Sequence, residues 1–307
     1  MWVAPLCVVG AALSLFVLAA SIAQRHKLPA LALAAAAPFG LPWLAGPVPL
    51  VRGVLALVFF VTMIRVIDLV RLREPWSAGR RIAHTLSFID TRLLRREPPR
   101  IDLGGLAAGL AWGGLALIAI VAVRNLAPPC AAVPRLLRLA GGVVFAYAAI
   151  DAGYAMVRAG YRAAGFVTPP LHVWPLASLS IGELWGMRWA RPVGHWLRTT
   201  CFVPLARRGH PVLGALLGFF ASGFGHAYPV LVALGPAMGA MMLGYFVVQG
   251  LAVIAEPRLG VATWPRAARR VWTVVIMVAT SPLFVEPALR VVLEDGSFQC
   301  PTSAAGE

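Results

Sequence analysis

Long uninterrupted runs of apolar residues dominate the chain, and short polar segments separate them. Each run is about 20 residues long, which is the length that crosses a bilayer core as an α-helix. A transmembrane β-barrel would instead show short segments of alternating polarity. The pattern therefore predicts an all-α, polytopic integral membrane protein with about eight transmembrane helices. The predicted spans cover residues 3–23, 29–46, 50–70, 104–124, 136–157, 211–228, 233–255 and 271–293.

The composition agrees with this interpretation. Of the 307 residues, 60% are hydrophobic and only 13% are charged, whereas a soluble domain carries about 25% charged residues. Pro42 and Pro47 interrupt the second predicted span, which makes it the weakest. The first apolar run has neither a basic segment before it nor a small-residue cleavage site after it. We therefore interpret it as a span and not as a signal peptide.

The net charge is +15, but the distribution of this charge argues against binding to nucleic acid. Every second connection is rich in Arg and Lys, whereas the connections at 47–49, 125–135 and 229–232 carry almost no charge. This alternation is the positive-inside pattern. We therefore expect the basic connections in the cytoplasm and both termini outside. The high Ala, Arg, Gly and Pro usage indicates a GC-rich bacterial genome, and hence the inner membrane. The basic residues are concentrated in the alternate connections, namely the first short loop, 71–103, 159–210 and 258–270.

A single membrane domain is expected over residues 1–300, followed by a disordered polar tail at 301–307. In the first large cytoplasmic connection, apolar residues at helical spacing predict an amphipathic helix over residues 80–94. The cysteines show no CxxC or other metal-ligand spacing. Cys130 and Cys300 are predicted on the same side of the membrane, so they either form a disulfide or remain unpaired thiols.

The second large cytoplasmic connection contains a clear helix start. Ser180 and Glu183 are three residues apart, as in a capping box. Pro192 is expected to kink or interrupt the helix that follows. A Trp- and Arg-rich amphipathic helix is typical of the membrane interface, so this segment could be only an interfacial anchor. Its aromatic and basic residues at helical spacing are Trp185, Trp189, Trp196, Arg188, Arg191 and Arg198.

Four segments resemble motifs of one family. Residues 170–176 and 178–189 resemble the P-L…S-L-x-x-F-W-G-R-R-W signature of wax synthases, a branch of the membrane-bound O-acyltransferase superfamily. Residues 220–226 resemble the F-x-x-S-G-x-x-H segment of that family, and 281–290 is similar to the end of wax synthase-like chains. The resemblance covers about residues 165–292; the first half of the chain agrees only in its hydropathy and in a short stretch around Arg65.

This resemblance implies transfer of a fatty acyl group from acyl-coenzyme A to the hydroxyl of a lipophilic acceptor, such as a long-chain alcohol in wax ester synthesis. It implies a buried His226 as the general base, because imidazole titrates near neutral pH and burial would keep the ring neutral. Ser222, Tyr228 or a backbone N–H near Gly223 and Gly225 would stabilise the oxyanion or position the acceptor. It implies no metal and no cofactor beyond acyl-coenzyme A as a co-substrate.

The chain departs from the family at one position. In the family the tryptophan motif normally ends in Trp-Asn, and the polar residue is counted as the second active-site position. Here Ala190 follows Trp189, and His195 is the nearest candidate to replace the missing group. The residues expected to bind acyl-coenzyme A are Trp185, Arg188, Trp189, Arg191 and Arg198, although the arginines could instead contact lipid headgroups.

Several other polar residues in the predicted spans allow two interpretations. Asp151 either pairs with an arginine or lines a reaction chamber. His226 serves either as the base or only in an interhelical hydrogen bond, for example to Ser222. Arg65 and Asp68 have the spacing of an intrahelical ion pair. Two further polar residues, Gln249 and Glu256, could face the chamber. The histidines predicted in surface loops are His26, His84, His172 and His210.

Two classes of function remain open at this point. The first is the membrane acyltransferase; the second is a transporter or a non-catalytic membrane scaffold. Transporters often contain repeated halves with broken helices, and no such repeat stands out here. The expected partners are acyl-coenzyme A, a lipophilic alcohol and membrane lipids. The acceptor, the acyl chain length and the oligomeric state are left open.

Overall fold

The structure is a computed structural model, and it describes residues 2–126 and 132–293. The described chain is almost entirely α-helical, in agreement with the predicted class. One short antiparallel pair joins β1 (Arg95–Arg96) to β2 (Phe166–Val167). The helices are α1 (Val3–Ile22), α2 (Lys27–Gly40), α3 (Pro49–Arg71), α4 (Ala78–Leu86), α5 (Leu103–Leu126), α6 (Ala132–Ala163), α7 (Ile181–Glu183), α8 (Arg191–Leu197), α9 (Val203–Ala206), α10 (Pro211–Leu234), α11 (Pro236–Arg258) and α12 (Arg266–Leu293).

Eight of these helices are long and apolar enough to cross a membrane. They are α1, α2 with the turn after it, α3, α5, α6, α10, α11 and α12, and each overlaps one of the eight predicted spans. The connection predicted at 229–232 is wrong, because α10 continues to Leu234. Length and composition are thus compatible with a multi-pass membrane protein. Cys130, Cys300 and the predicted tail at 301–307 lie outside the described residues.

Proline ends the α-helical part of the second span. α2 stops at Gly40, and a 3₁₀ turn, Leu41–Leu44, continues the chain. The Leu41 N–H still donates to the carbonyl of Ala37. The next bond of this ladder would run from residue 42 to the carbonyl of Pro38, but Pro42 has no N–H to donate. The Pro38 carbonyl therefore needs a donor from elsewhere in the protein.

The amphipathic helix predicted over residues 80–94 is only partly correct. Ser77 caps α4 by accepting a hydrogen bond from the Arg80 N–H at 3.4 Å. The helix ends at Leu86, and residues 91–93 form a separate 3₁₀ turn. Asp90 caps that turn by accepting from the Arg92 N–H at 2.9 Å. The local cap competes with helix continuation, which apolar spacing alone does not reveal.

The tryptophan-rich segment is not one continuous amphipathic helix, which corrects the second such prediction. After α7, a π-helical turn runs over Leu184–Arg188. The chain then breaks at Ala190, whose φ of 41° is left-handed, before α8 begins. Pro192 lies in the first turn of α8, where its missing N–H costs nothing. A helix that continued from Arg188 would need an N–H at residue 192, which proline lacks; the Arg188 carbonyl accepts from the Val173 N–H at 2.8 Å instead. The break at Ala190 therefore agrees with the interruption predicted for Pro192.

The described chain divides into two compact units. Unit 1 comprises the described residues of Met1–Leu94 and the segment Ser222–Leu243. Unit 2 comprises the described residues of Arg95–Ala221 and Gly244–Glu307. The boundaries fall inside α10 and α11, so each of these two helices contributes to both units. Residues 1–300, expected to form a single domain, are thus distributed over two units.

A buried charge cluster joins α3 to α4 in unit 1. Arg65 Nη1 lies 3.5 Å from Asp68 Oδ2, which confirms the predicted intrahelical pair. Arg92 Nη2 bridges Asp68 at 3.0 Å and Asp90 at 2.6 Å. Burial alone would raise the pKa of Asp90, but the hydrogen bonds from Arg92 outweigh it and leave this pKa lowered. His84 is fully buried beside both aspartates, so its prediction as a surface residue was wrong.

In unit 2, α6 packs against α5 and α12. A Cβ atom on Gly142 of α6 would lie 2.3 Å from a Val285 methyl group, so glycine permits the close approach of α12. Arg138 of α6 is almost fully buried and pairs with Glu286 of α12 at 2.9 Å. Breaking such a pair would leave an uncompensated buried charge, so the two helices are fixed together.

Candidate functional site

His226 lies on α10 in unit 1, and the glycines around it do not break the helix. A Cβ atom on Gly225 would lie 3.0 Å from the Phe60 ring, so the glycine allows α3 to pack closely beside the histidine. The His226 Nδ1 atom lies 2.8 Å from the Ser222 carbonyl oxygen one turn earlier. A carbonyl can only accept, so Nδ1 carries the proton and the lone pair of the neutral ring is on Nε2. His226 is an exposed residue in this structure, whereas a buried histidine was predicted.

Tyr228, two residues further along, has a structural hydrogen bond. Its hydroxyl donates to the Pro38 carbonyl at 2.5 Å, which satisfies the oxygen left without a helical donor by Pro42. The ring is buried and packs edge-on against Phe39 with centroids 4.9 Å apart. The Tyr228 hydroxyl was predicted to stabilise an oxyanion. Its proton instead forms the hydrogen bond that joins α10 to α2.

In unit 2, two carboxylates fix the start of the tryptophan motif. Ser180 Oγ accepts from the Glu183 N–H at 2.8 Å, which confirms the serine half of the predicted capping box. The Glu183 carboxylate accepts from the Leu179 N–H at 2.9 Å. Glu256 of α11 accepts from the backbone N–H groups of Ile181 at 2.6 Å and Gly182 at 3.0 Å. It also accepts from the Trp272 indole at 3.0 Å. These contacts hold a carboxylate at the N-terminus of α7, where its charge is favourable.

Trp185 is held on α11 by a chain of buried polar groups. Its indole N–H donates to Gln249 Oε1 at 3.0 Å, and Gln249 Nε2 donates to Thr280 Oγ1 at 2.8 Å. Phe219 and Tyr245 pack edge-on against the same indole. Gln249 is fully buried, so it fixes the π-helical turn that carries Trp185 and does not line an open chamber.

The predicted arginines fall into two groups. Arg188 is engaged within the protein: its guanidinium contacts Glu183 at 2.6 Å and the carbonyls of Val173 and Trp174 at 3.3 Å each. Burial alone would raise the pKa of Glu183, but the Leu179 N–H and Arg188 outweigh it, so this pKa is lowered. Arg188 therefore ties the motif to the preceding segment.

The second group lies on α8 and at its end. Arg191, His195 and Arg198 are all exposed, and spacings of four and three residues place them on one helical face. Arg198 also lies over the Phe202 ring at 5.7 Å. His195, predicted to replace the missing polar residue, thus belongs to an exposed basic face, and the group in contact with Ala190 is a different histidine.

That histidine is His172. Its Nδ1 accepts from the Ala190 N–H at 3.1 Å, and its ring stacks on Trp189 with centroids 4.1 Å apart. Tyr147 of α6 stacks on the ring with centroids 5.7 Å apart. The side chain is only 5% exposed, so its prediction as a surface residue was wrong. Burial lowers the pKa of His172 to about 4, which keeps the ring neutral at pH 7.

Asp151 of α6 lies close to His172, and no arginine pairs with it among the described residues. Its Oδ2 atom is 3.9 Å from His172 Nε2. The position of His172 next to the tryptophan motif was the sequence signal that could have identified it. The sequence of the connection after α6 gave no indication that this segment folds back against α6.

The predicted site residues thus fall in both units. His226, Ser222 and Tyr228 belong to unit 1, and the tryptophan motif, its arginines and His195 belong to unit 2. Within the described residues, no group of three or more His, Cys, Asp or Glu side chains is placed to hold a metal ion. No protein-family model matches the chain, and no curated protein matches it significantly.

Proposed function

We propose that the chain is a membrane-bound O-acyltransferase that transfers a fatty acyl group from acyl-coenzyme A to the hydroxyl of a lipophilic acceptor, such as a long-chain alcohol. The observation that carries this proposal is the His226 ring, whose Nδ1–H is directed at the Ser222 carbonyl. This hydrogen bond leaves the basic lone pair on Nε2. The resemblance of the motifs around His226 and Trp185 to wax synthases gives the reaction class.

In the proposed reaction, His226 Nε2 takes the proton of the acceptor hydroxyl as its oxygen attacks the thioester carbonyl. The carbon–sulfur bond then breaks, the ester is released, and the coenzyme A thiolate takes up the proton from the imidazolium. Atoms and charge balance without an oxidant, a reductant or a metal. The Ser222 carbonyl stabilises the imidazolium between the two proton transfers, because it accepts from Nδ1–H throughout.

The exposed basic face of α8 is proposed to bind the phosphates of coenzyme A. Guanidinium groups bind phosphate through paired hydrogen bonds, and Arg191 and Arg198 are not engaged in the ion pairs that occupy Arg188. Arg188 is therefore assigned to the structure of the motif. Replacing Arg191 and Arg198 together with alanine should raise the KM for acyl-coenzyme A and leave the KM for the alcohol unchanged.

The proposed location is a bacterial inner membrane, with the basic connections in the cytoplasm and both termini outside. The charge pattern supports it, because lysine and arginine accumulate on the cytoplasmic side. Coenzyme A is a cytosolic anion and the acceptor is lipid-like. An enzyme spanning the bilayer can take each substrate from its own phase.

The test is ester formation by membranes that carry the full chain, supplied with labelled palmitoyl-coenzyme A and a panel of fatty alcohol, sterol and diacylglycerol. His226→Ala and His226→Gln should each lose at least about 100-fold in rate, the usual contribution of a general base. His210→Ala, which alters an exposed histidine before α10, is the matched control. Equal activity of the His226 variants and the wild type would remove the proposed base. No ester from any acceptor, together with no binding of acyl-coenzyme A, would favour the transporter or scaffold instead.

A further inference from the structure

The segment that carries His172 turns back along α6. The Tyr154 hydroxyl donates to the Pro169 carbonyl, and three residues later His172 stacks on Tyr147. Three extended residues cover about 10 Å, and the seven residues between Tyr147 and Tyr154 cover about the same length of helix. The chain after α6 therefore runs antiparallel to it, towards the middle of the predicted span. Non-helical backbone at that depth is tolerated where protein encloses it.

The His172 ring is fixed in one orientation and one tautomer. Trp189 and Tyr147 lie against the ring, and the Ala190 N–H donates to Nδ1. A backbone N–H can only donate, so Nδ1 carries the lone pair and the proton of the neutral ring is on Nε2. Nε2–H is therefore a fixed hydrogen-bond donor in the interior of unit 2.

The Nε2 donor and a carboxylate oxygen of Asp151 are separated by a gap. The two atoms are 3.9 Å apart, which is too long for a direct hydrogen bond. Both are buried and have no hydrogen-bond partner among the described residues. Leaving a buried polar atom unpaired is destabilising. One oxygen atom about 2.8 Å from each would satisfy both.

A hydroxyl group matches the chemistry of the two atoms. His172 Nε2–H needs an acceptor, and Asp151 Oδ2 needs a donor; a hydroxyl supplies both through one atom, as a water molecule also does. An ether accepts but cannot donate, and an ammonium donates but cannot accept. We propose that His172 and Asp151 bind the hydroxyl of a lipophilic alcohol. The proposal goes beyond acyl transfer, because binding does not require His226.

The surroundings specify an apolar molecule behind that hydroxyl. Asp151 lies sixteen residues from one end and twelve from the other end of the 135–163 span, which is about 24 and 18 Å along the helix. A hydroxyl at this depth belongs to a molecule whose remainder is lipid-soluble. Trp112 of α5 packs edge-on against Tyr147 with centroids 5.6 Å apart, which adds an apolar wall. The Asp151 side chain as a whole is 21% exposed, although its Oδ2 atom is buried.

The test is photocrosslinking of the purified full chain with a labelled hexadecanol that carries a diazirine in its alkyl chain. Unlabelled hexadecanol should compete at least about tenfold better than its methyl ether or hexadecane, since about 1.4 kcal/mol of hydrogen bonding is a factor of ten. The labelled peptide should come from α6 or from the segment around His172. Equal competition by all three compounds would mean that only the alkyl chain is bound, which would overturn the proposal.

Paired variants distinguish loss of the His172 Nε2–H donor from a general loss of folded structure. His172→Asn keeps an acceptor for the Ala190 N–H but removes the Nε2 donor, and it should lose the preference for hexadecanol over the ether. His172→Gln places an amide N–H near the Nε2 position and should restore part of that preference. Asp151→Leu should also lose it, and His210→Asn, an exposed histidine outside this cluster, should keep it. If His172→Asn and Asp151→Leu keep the preference while thermal stability is unchanged, a water molecule occupies the gap and the proposal is wrong.

Kinetics then separate two sources of the alcohol. If the bound alcohol is the acceptor of the proposed reaction, His172→Asn should raise the KM for the alcohol about tenfold and leave the KM for acyl-coenzyme A unchanged. If it is a resident hydroxylated lipid, crosslinking should change while both KM values stay the same. A chain that makes no ester would still be tested by crosslinking, so failure of the proposed function and failure of this site are distinguishable.

Discussion

The hydrogen bond between Tyr228 and Pro38 makes a sharp test of how the proline-interrupted span is held. Tyr228→Phe keeps the buried ring and removes only the hydroxyl that donates to the Pro38 carbonyl. This carbonyl has no helical donor because residue 42 is proline. Leaving a buried carbonyl unpaired costs about 1–3 kcal/mol, against about 1 kcal/mol for an average hydrogen bond. We expect the loss for Tyr228→Phe to lie in the upper part of that range.

A second substitution supplies the missing donor. The Leu41 N–H already bonds the Ala37 carbonyl, so an alanine at position 42 would place its N–H within reach of the next carbonyl, that of Pro38. In the Pro42→Ala background, Tyr228→Phe should therefore cost less than about 1 kcal/mol. The double-mutant cycle should give a coupling energy of about 1–2 kcal/mol between positions 42 and 228.

The assay is thermal unfolding of the four purified proteins in detergent, where 1 kcal/mol corresponds to about 2–4 °C in Tm. Tyr245→Phe is a suitable control, because among the described residues its hydroxyl has only the sulfur of Met277 at 3.9 Å, a weak acceptor. Additive effects of the two substitutions would refute the reasoning. So would a Tyr228→Phe effect as small as that of Tyr245→Phe.

Three further predictions concern the polar groups of the candidate site. Glu256→Gln should loosen the start of the tryptophan motif, because one amide oxygen cannot replace a carboxylate that accepts three donors. Amide hydrogen exchange at Ile181 and Gly182 should become faster. Unchanged exchange would contradict the role given to Glu256. The pKa of His172 in the folded protein, about 4, lies below its ordinary value of 6.5. The unfolded chain therefore binds more protons between those values, and stability should fall by up to about 1.4 kcal/mol per unit as pH drops from about 6.5 to about 4. His172→Asn should lack that part of the pH dependence of Tm. Equal slopes of Tm against pH in the variant and the wild type would contradict this prediction. Nitrogen NMR at pH 7 should find the proton on Nδ1 in His226 and on Nε2 in His172.

The helices could be predicted from sequence because their cause is local. Apolar runs of span length gave all eight long helices, and the Ser180 cap needs only a residue three positions away. The role of Tyr228 depends on a carbonyl 190 residues earlier in the chain. The burial of His172 depends on a loop that returns to α6. Neither long-range contact leaves a periodic pattern, and a histidine in a proline-rich connection resembles a surface residue.

The break of the tryptophan segment at Ala190 explains why the histidine that contacts Ala190 could not be identified from spacing along the chain. Counting along a continuous helix from Trp189 leads to His195, the next histidine in the chain. The left-handed backbone at Ala190 ends that helix and turns its N–H towards His172. The histidine that contacts the Ala190 N–H therefore lies eighteen residues before Ala190, whereas His195 lies five residues after it.

The two buried or helix-bound imidazoles of the proposed chemistry are fixed in opposite tautomers by backbone groups. The Ser222 carbonyl takes the Nδ1 proton of His226, which leaves a lone pair on Nε2. The Ala190 N–H takes the Nδ1 lone pair of His172, which leaves a proton on Nε2. A base needs the first arrangement, and a donor that holds a hydroxyl oxygen needs the second. One side-chain type thus serves two tasks, and the choice between them is made by whether the backbone offers it an oxygen or an N–H.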